Sequence, residues 1–562
     1  MRTLIPFPLA LAIFHSCHGL KLPFEVHITN PTARIQRRAS MPISNTGNAQ
    51  YIGNITLGGV LSRVMLDTGS SDLWAAFPKE QPVSKDTGTG VTLAYAVGRA
   101  SGNVHMTTAE IDGHTVDDQA FLLVGNTSTF SSNIHAQGYD GLFGLGPNKG
   151  SQVRKKLDGN TGDTMLTRIF SQNKTSANYI TFLLDRKGDP TDPFTGQFTL
   201  SEIVPGFENI TTMPKLDVDT VNRLLQADQH WQALTDKNNG IIGPDGNAIT
   251  VDSIVPGAPK GQFVAVFDSG FTFSQVPREV SDAIYGRVHG AVYDVKDEIW
   301  TVPCGQYLNI SFNFGGISYP VHPLDTVDDN FSRTDLNGNK ICIGAFQPIT
   351  SAFSLLGHYD MIMGMSFLRN VYTLLDFGNW IKDKPTDTGH PYIQIASVTN
   401  VASARTDFIQ TRLGGVDTTG DAKWTLLPKE EMQHSPVSEE EKKKKYQELV
   451  LSRWPYILTG CLVFIIIVVG LCIWRCCCRK GAKKGSKTKK GMFSGEPAST
   501  TYLPLQDPNR FKEGLSPLGQ SPFDASTASL GGHYPPDAQY SPGAQYPPPQ
   551  YSQSGGGYQH HS

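Results

Sequence analysis

Residues 41–400 alternate between short apolar and polar runs, in the pattern of an all-β protein. Strands are predicted at Tyr51–Leu57, Val91–Val97 and Tyr307–Phe314, because apolar and polar residues alternate there and Gly, Asp, Asn or Pro separates the runs. In Pro277–Val288 the apolar residues recur at helical spacing instead, which predicts a short helix. This part of the chain is therefore expected to be mostly β-sheet.

Two longer apolar runs lie outside this region. Residues 1–19 combine Arg2, an apolar run and a small-residue end, which is typical of a secretory signal peptide, although a buried N-terminal strand would look similar. Residues 455–474 carry no charge, are dense in Ile, Leu and Val, and are long enough to span a bilayer as a helix. Because basic residues follow this run, its C-terminal side is expected in the cytosol. These patterns predict a single-pass type I membrane protein with an extracellular or lumenal ectodomain.

Composition adds the regions that flank the membrane span. The 562 residues leave room for more than one domain, and the formal charge of −3 gives no argument for nucleic-acid binding. Residues 401–453 read as a solvated stalk, although their charge run could form one or two exposed helical turns. Residues 475–562 read as a basic and then Pro-, Ser-, Gly- and Tyr-rich disordered cytosolic tail.

Short motifs in this tail have open interpretations. Cys476–Cys478 at the membrane edge could be S-palmitoylated or remain reduced, and the lysines after them favour anionic lipid heads. Pro548, Pro549 and Tyr551 match a ligand of WW domains, and Tyr502–Leu505 resembles a sorting signal. Both motifs could equally be spacer.

The candidate chemistry lies in two similar stretches. In each, an apolar strand leads into Asp, a hydroxyl residue and Gly, and these are Asp67-Thr68-Gly69 and Asp268-Ser269-Gly270. One such tripeptide is an ordinary turn sequence. Two buried carboxyl groups side by side cannot both ionise, so they share one proton, and one acts as general base while the other acts as general acid. Such a pair can activate a water molecule without a metal or a covalent intermediate.

At this point the sequence resembles a known family. Gln50–Gly58 followed by Val64–Trp74 resembles the opening of pepsin-like aspartic peptidases, and three later stretches resemble the flap hairpin and the elements that support the two catalytic loops: Tyr95–Gly102, Tyr139–Gly146 and Met361–Asp376. The resemblance covers residues 42–400. It implies an all-β fold of two lobes with a cleft between them, and an aspartic endopeptidase that acts on polypeptides without cofactor or metal. A dibasic pair and a membrane anchor beside such an ectodomain resemble fungal members.

The resemblance implies a role for each site residue. Asp67 and Asp268 would be the catalytic dyad. Ser70 would hydrogen-bond Asp67, and Tyr95 would sit on a mobile flap that closes over the substrate and would hydrogen-bond Trp74. The supporting positions of the loops and the flap would be Thr68, Gly69, Ser269, Gly270 and Gly98.

One position departs from the family pattern. Phe271 stands where the family usually has Ser or Thr, so Asp268 loses a hydroxyl partner unless Thr272 or water supplies one. A lost hydrogen bond to a charged group is worth about 1.5–3 kcal/mol, which predicts a raised pKa for Asp268 and a shifted pH optimum. Two other readings stay open: an inactive pepsin-like peptide-binding glycoprotein, and an adhesive surface glycoprotein whose function lies in the tail.

Together these features divide the chain into seven parts: signal peptide 1–19, pro-segment 20–38, N-terminal lobe 39–208, C-terminal lobe 209–400, stalk 401–453, transmembrane helix 455–474 and tail 475–562. Within the pro-segment, Leu20–Phe24 resembles the first strand of the family's propeptides. Arg37–Arg38 could be cut by a kexin-type enzyme, as in a zymogen, or lie in a solvated loop.

Covalent modifications are expected in the ectodomain, which we expect to be monomeric. Cys304 and Cys342 are its only cysteines, so they pair with each other if they are oxidised, and the alternative is two buried thiols. Glycosylation signals occur at Asn54, Asn126, Asn173, Asn209, Asn309 and Asn330.

Overall fold

The structure is a computed structural model of the chain. It describes residues 20–23, 25–26 and 50–480, except for 96–97, 112, 131–132, 187, 189, 191–195, 221–227, 256, 336–337, 350–357, 383–388 and 438. The expected signal peptide, the dibasic pair, the tip of the flap and the WW-type motif lie outside the described residues.

Strands dominate the first half of the chain. They are β1 (Leu20–Pro23), β2 (Glu25–Val26), β3 (Tyr51–Leu57), β4 (Val60–Asp67), β5 (Leu73–Ala75), β6 (Lys85–Tyr95), β7 (Gly98–Ile111), β8 (His114–Val124), β9 (Gly141–Gly144), β10 (Tyr179–Leu183) and β11 (Gln197–Leu200). Two short helices interrupt them, α1 (Gln152–Lys156) and α2 (Met165–Gln172).

The second half is built in the same way. Its strands are β12 (Leu216–Asp217), β13 (Gln232–Leu234), β14 (Ile241–Ile242), β15 (Val264–Phe267), β16 (Ser274–Val276), β17 (Val292–Asp294), β18 (Ile299–Pro303), β19 (Ser311–Phe314), β20 (Ile317–Pro320), β21 (Val327–Thr334), β22 (Lys340–Gly344), β23 (Phe346–Pro348), β24 (Met361–Met363), β25 (Val371–Asp376) and β26 (Tyr392–Ser397). Its helices are α3 (Arg278–Tyr285) and α4 (Met365–Leu368), and α5 (Val401–Arg412) and α6 (Glu439–Lys480) follow.

Each half brings one candidate Asp to the interior of a sheet. In the first half the strand order is β2-β3-β4-β9-β5-β8-β7-β6, and β4 runs parallel to β9 with Asp67 opposite Gly144. In the second half the order is β13-β15-β24-β16-β23, and β15 runs parallel to β24 with Phe267 opposite Met363. Both neighbours of each strand are therefore occupied, and all four residues of β15 are buried, as expected of a strand in the interior of a sheet.

A third sheet joins the two halves. Its order is β1-β11-β10-β25-β26-β12, and β10 from the first half pairs antiparallel with β25 from the second. Phe170 and Phe377 pack above the join with ring centroids 5.3 Å apart. The largest apolar cluster contains residues from both halves, so the two halves share one continuous core.

The predicted helix after the second candidate loop is confirmed. It is α3, which begins after Pro277 and buries Val280 and Ile284 on one face. The side chain of Asp282 is also buried, where it accepts hydrogen bonds from the hydroxyl of Ser435 at 2.7 Å and from the indole N–H of Trp300 at 3.3 Å.

The expected solvated stalk is wrong for residues 401–435. Helix α5 begins at the Asn400 cap and buries Phe408, whose ring packs edge-on against Tyr307 at 5.4 Å. The chain then continues along the second half, where the backbone N–H of Leu427 donates to Arg287, and it reaches Ser435 beside Asp282. Composition is a poor guide here, because a few buried side chains are enough to hold this polar segment on the protein surface.

The expected stalk is helical from residue 439 onward. Residues 439–453 belong to α6, which agrees with the helical alternative for the charge run and continues into the apolar segment without a break. Tyr456–Arg475 within α6 has a mean hydropathy of 2.9 and none of it is buried by the rest of the chain. Among the described residues it is the helix that is long and apolar enough to cross a membrane.

Candidate active site

The two candidate aspartates occupy equivalent places in the two halves. Asp67 is the last residue of β4 and Asp268 directly follows β15. The backbone carbonyl of Asp67 accepts a hydrogen bond from Leu145 at 2.7 Å, and the N–H of Asp268 donates to Met363 at 3.0 Å. The elements around Leu145 and Met363, which the resemblance identified as supports, therefore hold the two loops from behind.

Hydroxyl groups lock the two loops together. The Thr68 hydroxyl donates to the carbonyl of Phe267 at 2.8 Å and accepts from the N–H of Ser269 at 2.8 Å. The Ser269 hydroxyl donates to the carbonyl of Leu66 at 2.8 Å and accepts from the N–H of Thr68 at 3.1 Å. All four bonds are buried, so each hydroxyl satisfies two backbone groups of the opposite loop.

The same loops hold the carboxyl groups in place. The N–H of Gly69 donates to Asp67 Oδ1 at 2.9 Å, and the N–H of Gly270 donates to Asp268 Oδ1 at 2.7 Å. The Ser70 hydroxyl donates to Asp67 Oδ2 at 2.5 Å. These three bonds fix both side chains in the cleft.

The two glycines allow the loops to approach. A Cβ atom at Gly69 would lie 2.1 Å from Asp268 Oδ2, and a Cβ atom at Gly270 would lie 2.6 Å from Asp67 Oδ1. No side chain fits at either position without displacing the opposite carboxyl group. The structure thus brings Asp67 and Asp268 into one shared site.

The two carboxyl groups have different environments. Burial raises the pKa of Asp268 well above its usual value, and the negative charge of Asp67 raises it further. Burial also raises the pKa of Asp67, but the hydrogen bonds from Ser70 and Gly69 favour its charged form and oppose the rise. We therefore assign the shared proton to Asp268 and the negative charge to Asp67.

Phe271 supplies no donor to this pair. Among the described residues no hydroxyl donates to Asp268, whereas Asp67 has Ser70. The backbone carbonyl of Phe271 accepts from Met365 at 2.8 Å, and its ring packs against the cluster of Val264, Val266, Tyr359 and Ile362. Thr272 therefore does not replace the missing hydroxyl, and the asymmetry expected from the sequence is present.

An apolar wall and a hairpin border the cleft. Tyr95 ends β6 and pairs with Gly98 at the start of β7. Trp74 lies behind Tyr95 with ring centroids 6.2 Å apart, and it stacks on Phe130 at 5.4 Å. Burial raises the pKa of Tyr95, and the nearby side chain of Trp74 partly opposes this rise. The buried indole N–H of Trp74 forms no hydrogen bond of normal geometry with a described residue.

Two site residues were missed by the sequence analysis. The buried carboxylate of Asp72 accepts hydrogen bonds from the Ser151 hydroxyl at 2.5 Å and from the N–H of Gln152 at 2.8 Å, which ties α1 to the first loop. Nδ1 of His230 lies 3.0 Å from the carbonyl of Gly69. The acidic residue within the loop motif was a visible signal for Asp72, whereas nothing local marks His230.

The predicted covalent features can also be located. Cys304 and Cys342 form a disulfide bond with their Cα atoms 4.9 Å apart, as predicted. All six glycosylation-signal asparagines are exposed, which are Asn54, Asn126, Asn173, Asn209, Asn309 and Asn330. Exposure is what a glycan requires.

Comparison with known proteins agrees with this geometry. The family model described as eukaryotic aspartyl protease matches residues 50–381. The chain therefore belongs to the eukaryotic aspartyl protease family. It is a pepsin-like aspartic-type endopeptidase, so the resemblance in sequence is confirmed.

Similar proteins occur in fungi and animals. The chain is 25% identical over 376 residues to major aspartyl peptidase 1 of Cryptococcus neoformans, covering 62% of this chain and 71% of that protein. It is 24% identical over 394 residues to pepsin A of Rhinolophus ferrumequinum, covering 63% and 87%. It is 24% identical over 349 residues to aspartic-type endopeptidase ctsD of Aspergillus fumigatus, covering 58% and 64%.

Proposed function

We propose that this chain is a membrane-tethered endopeptidase that hydrolyses peptide bonds with a water molecule activated between Asp67 and Asp268. The observation that carries the proposal is the close approach of the two loops, in which a Cβ atom at Gly69 would overlap the carboxyl group of Asp268 and a Cβ atom at Gly270 would overlap that of Asp67. Two buried acids that share one proton provide a base and an acid at the same place.

In the proposed reaction Asp67 is the general base. It takes a proton from the water molecule as the oxygen attacks the carbonyl carbon of the substrate. Asp268 donates its proton to the carbonyl oxygen, which gives a neutral tetrahedral intermediate. The negative charge then resides on Asp268. As the C–N bond breaks, the proton held by Asp67 passes to the leaving nitrogen and Asp268 takes back a proton from one hydroxyl of the intermediate, which gives the carboxyl product and restores the starting protonation of the pair.

The neighbouring residues position this pair. Thr68 and Ser269 brace the loops, Ser70 keeps Asp67 ionised, and Tyr95 on its hairpin closes over an extended peptide that lies between two lobes. The substrate would bind with its backbone along the flap and the edges of the cleft. The sheet that joins both halves supports this two-lobed description.

We further propose a type I orientation for the anchor. The span at Tyr456–Arg475 is followed by a basic run, and the six exposed glycosylation signals and the disulfide all precede it. On this proposal residues 1–19 are a signal peptide, 20–38 a removable pro-segment, and 475–562 a cytosolic tail. The monomeric ectodomain would face an acidic lumen or the cell exterior.

The test is cleavage by the full-length chain in detergent micelles. An unstructured protein is incubated with the wild type and with Asp67→Asn across pH 3–7, with and without a statine-type transition-state mimic. We expect acid-dependent cleavage that the mimic blocks and that falls by at least about a thousandfold in the variant. Equal cleavage by the two proteins would show that Asp67 is not the base.

One observation favours a second candidate function. No hydroxyl among the residues that the structure describes donates to Asp268, so the chain could bind peptides in the same cleft without cleaving them. This inactive form predicts tight binding of the statine-type mimic with no hydrolysis at any pH. The cleavage assay therefore separates the two candidates.

A further inference from the structure

Three neighbouring polar side chains interrupt the mostly apolar lining of the cleft. Gln152, Asp228 and His230 line the cleft next to the first catalytic loop, and we call these three residues the acceptor subsite. Their side chains come from α1 and from the segment that leads into β13. The mechanism proposed above uses none of them.

His230 presents a hydrogen-bond acceptor. Its Nδ1 lies 3.0 Å from the carbonyl oxygen of Gly69, and because a carbonyl only accepts, Nδ1 carries the proton. Burial lowers the pKa of His230 to about 4, so the ring is neutral at higher pH and Nε2 has a free lone pair. Nε2 has no hydrogen-bond partner among the described residues, and the residue retains 8% exposure and lines the cleft.

Asp228 presents a second acceptor. Its Oδ2 accepts from the amide of Gln152 at 3.0 Å, and its Oδ1 forms an ion pair with Lys155. A carboxylate oxygen accepts more than one hydrogen bond, so these contacts orient the group and leave it able to accept another. The side chain of Asp228 remains 10% exposed.

The subsite is fixed to the catalytic loop. The N–H of Gln152 donates to Asp72 at 2.8 Å, and His230 holds the carbonyl of Gly69, which lies two residues after Asp67. The acceptors are already oriented before a ligand binds, so ordering them on binding costs little conformational entropy.

The charge of the cleft selects the kind of donor. Four carboxyl groups are among the described residues that line it, and no lysine or arginine is: Asp67, Asp72, Asp228 and Asp268. Asp268 holds the shared proton, so the negative charge comes from the other three carboxyl groups, and Lys155 beside Asp228 offsets only part of it. A cationic side chain that donates hydrogen bonds therefore matches both the acceptors and the remaining negative charge.

We propose that the acceptor subsite receives a lysine or arginine side chain of the bound peptide and so sets the substrate preference of this enzyme. The inference rests on the proposed function, because it assumes that a peptide occupies the cleft. Asp228 contributes a charge-assisted hydrogen bond, and His230 Nε2 contributes a neutral one.

The test measures binding separately from cleavage. Statine-centred peptides carry lysine, norleucine or glutamate at each position in turn, and calorimetry gives their affinity for the full-length chain in detergent at pH 5. We expect one position where lysine binds about tenfold tighter than norleucine and glutamate binds more weakly than both. Asp228→Asn should reduce the lysine advantage to about twofold or less, whereas Asp217→Asn, at an exposed carboxylate outside the cleft, should keep it.

The outcomes are distinct. Equal affinity for lysine and norleucine at every position overturns the proposal, and so does a lysine advantage that survives in Asp228→Asn. The glutamate series needs no variant, so the proposal stays testable if Asp228→Asn fails to fold. A lysine advantage without any peptide hydrolysis would support the subsite and overturn the proposed peptidase function.

Discussion

The hydroxyl of Thr68 donates a buried hydrogen bond of 2.8 Å to the carbonyl of Phe267, which lies 199 residues further along the chain. The Ser269 hydroxyl makes the equivalent bond to Leu66 at 2.8 Å. Since each hydroxyl belongs to the residue directly after one of the two proposed catalytic Asp residues, the position of each carboxyl group depends on the opposite half of the chain. The two halves can therefore form the site only as a folded pair.

The first prediction tests the hydrogen bonds that the Thr68 hydroxyl makes between the two loops. Thr68→Ala leaves the carbonyl of Phe267 and the N–H of Ser269 buried without a partner, so the free energy of unfolding should fall by about 2 kcal/mol or more. The rate constant kcat should also fall, because the carboxyl groups lose their relative position. Thermal unfolding and peptide-cleavage assays measure the two effects.

Two matched variants control this experiment. Thr68→Ser keeps the hydroxyl and should retain most of the stability and activity. Thr115→Ala changes an exposed threonine of β8 and should alter stability by less than about 0.5 kcal/mol. A Thr68→Ala variant as stable as Thr115→Ala would show that the cross-loop bonds contribute little.

The second prediction concerns stability and pH at Asp268. Its folded-state pKa is raised above the unfolded value of about 4, so the folded chain binds more protons between these two values. Wild-type stability should therefore fall as pH rises from about 4 through the folded-state pKa. An asparagine side chain does not titrate, so Asp268→Asn does not lose stability in this pH range. At pH 7 the variant should be more stable than the wild type by about 1.4 kcal/mol for each unit by which the folded-state pKa of Asp268 is raised. This difference in stability should shrink towards pH 4.

Chemical denaturation at several pH values measures this difference. Asp217→Asn, at an exposed carboxylate, serves as the control and should show no such pH-dependent gain. If Asp268→Asn were less stable than the wild type at pH 7, burial and the charge of Asp67 would not raise the pKa of Asp268 in the folded chain.

The third prediction concerns Phe271. Phe271→Thr should supply the missing hydroxyl to Asp268 and stabilise its charged form, which lowers its pKa. Because Asp268 must be protonated to donate, the alkaline limb of kcat/KM should move to lower pH by about one unit. Phe271→Val has the same shape as the threonine variant without the hydroxyl, and it should not cause this shift. Identical pH–rate profiles for the two variants would show that no hydroxyl contact forms.

The fourth prediction concerns α5. Phe408 is fully buried against Tyr307, so Phe408→Ala should lower the free energy of unfolding by about 3–5 kcal/mol, as for other buried phenylalanines. Val401→Ala, at an exposed position of the same helix, should change it by less than about 0.5 kcal/mol. Thermal unfolding checks both. Equal effects of the two substitutions would mean that residues 401–412 are a solvated stalk after all.

Local sequence was sufficient for the chemistry and for many elements. Asp67 and Asp268 could be found because each follows an apolar strand and precedes a hydroxyl residue and Gly, a pattern that needs no partner to be visible. The helix after Pro277 and the span before Arg475 were predictable for the same reason, since periodicity and the absence of charge are properties of consecutive residues.

Tertiary structure decided what joins distant residues. The contact of Thr68 with Phe267, the approach of His230 to Gly69 and the burial of Phe408 each depend on residues far apart in the chain, and no consecutive pattern records them. The polar composition of residues 401–435 concealed their packing, because a few buried side chains decide it. The sequence alone thus determined which groups carry the chemistry and which segment can cross a membrane. Phe271 already indicated from the sequence that Asp268 lacks a hydroxyl partner. Only the folded chain decided that both acids are buried in one site, where burial and the charge of Asp67 raise the pKa of Asp268 well above its usual value.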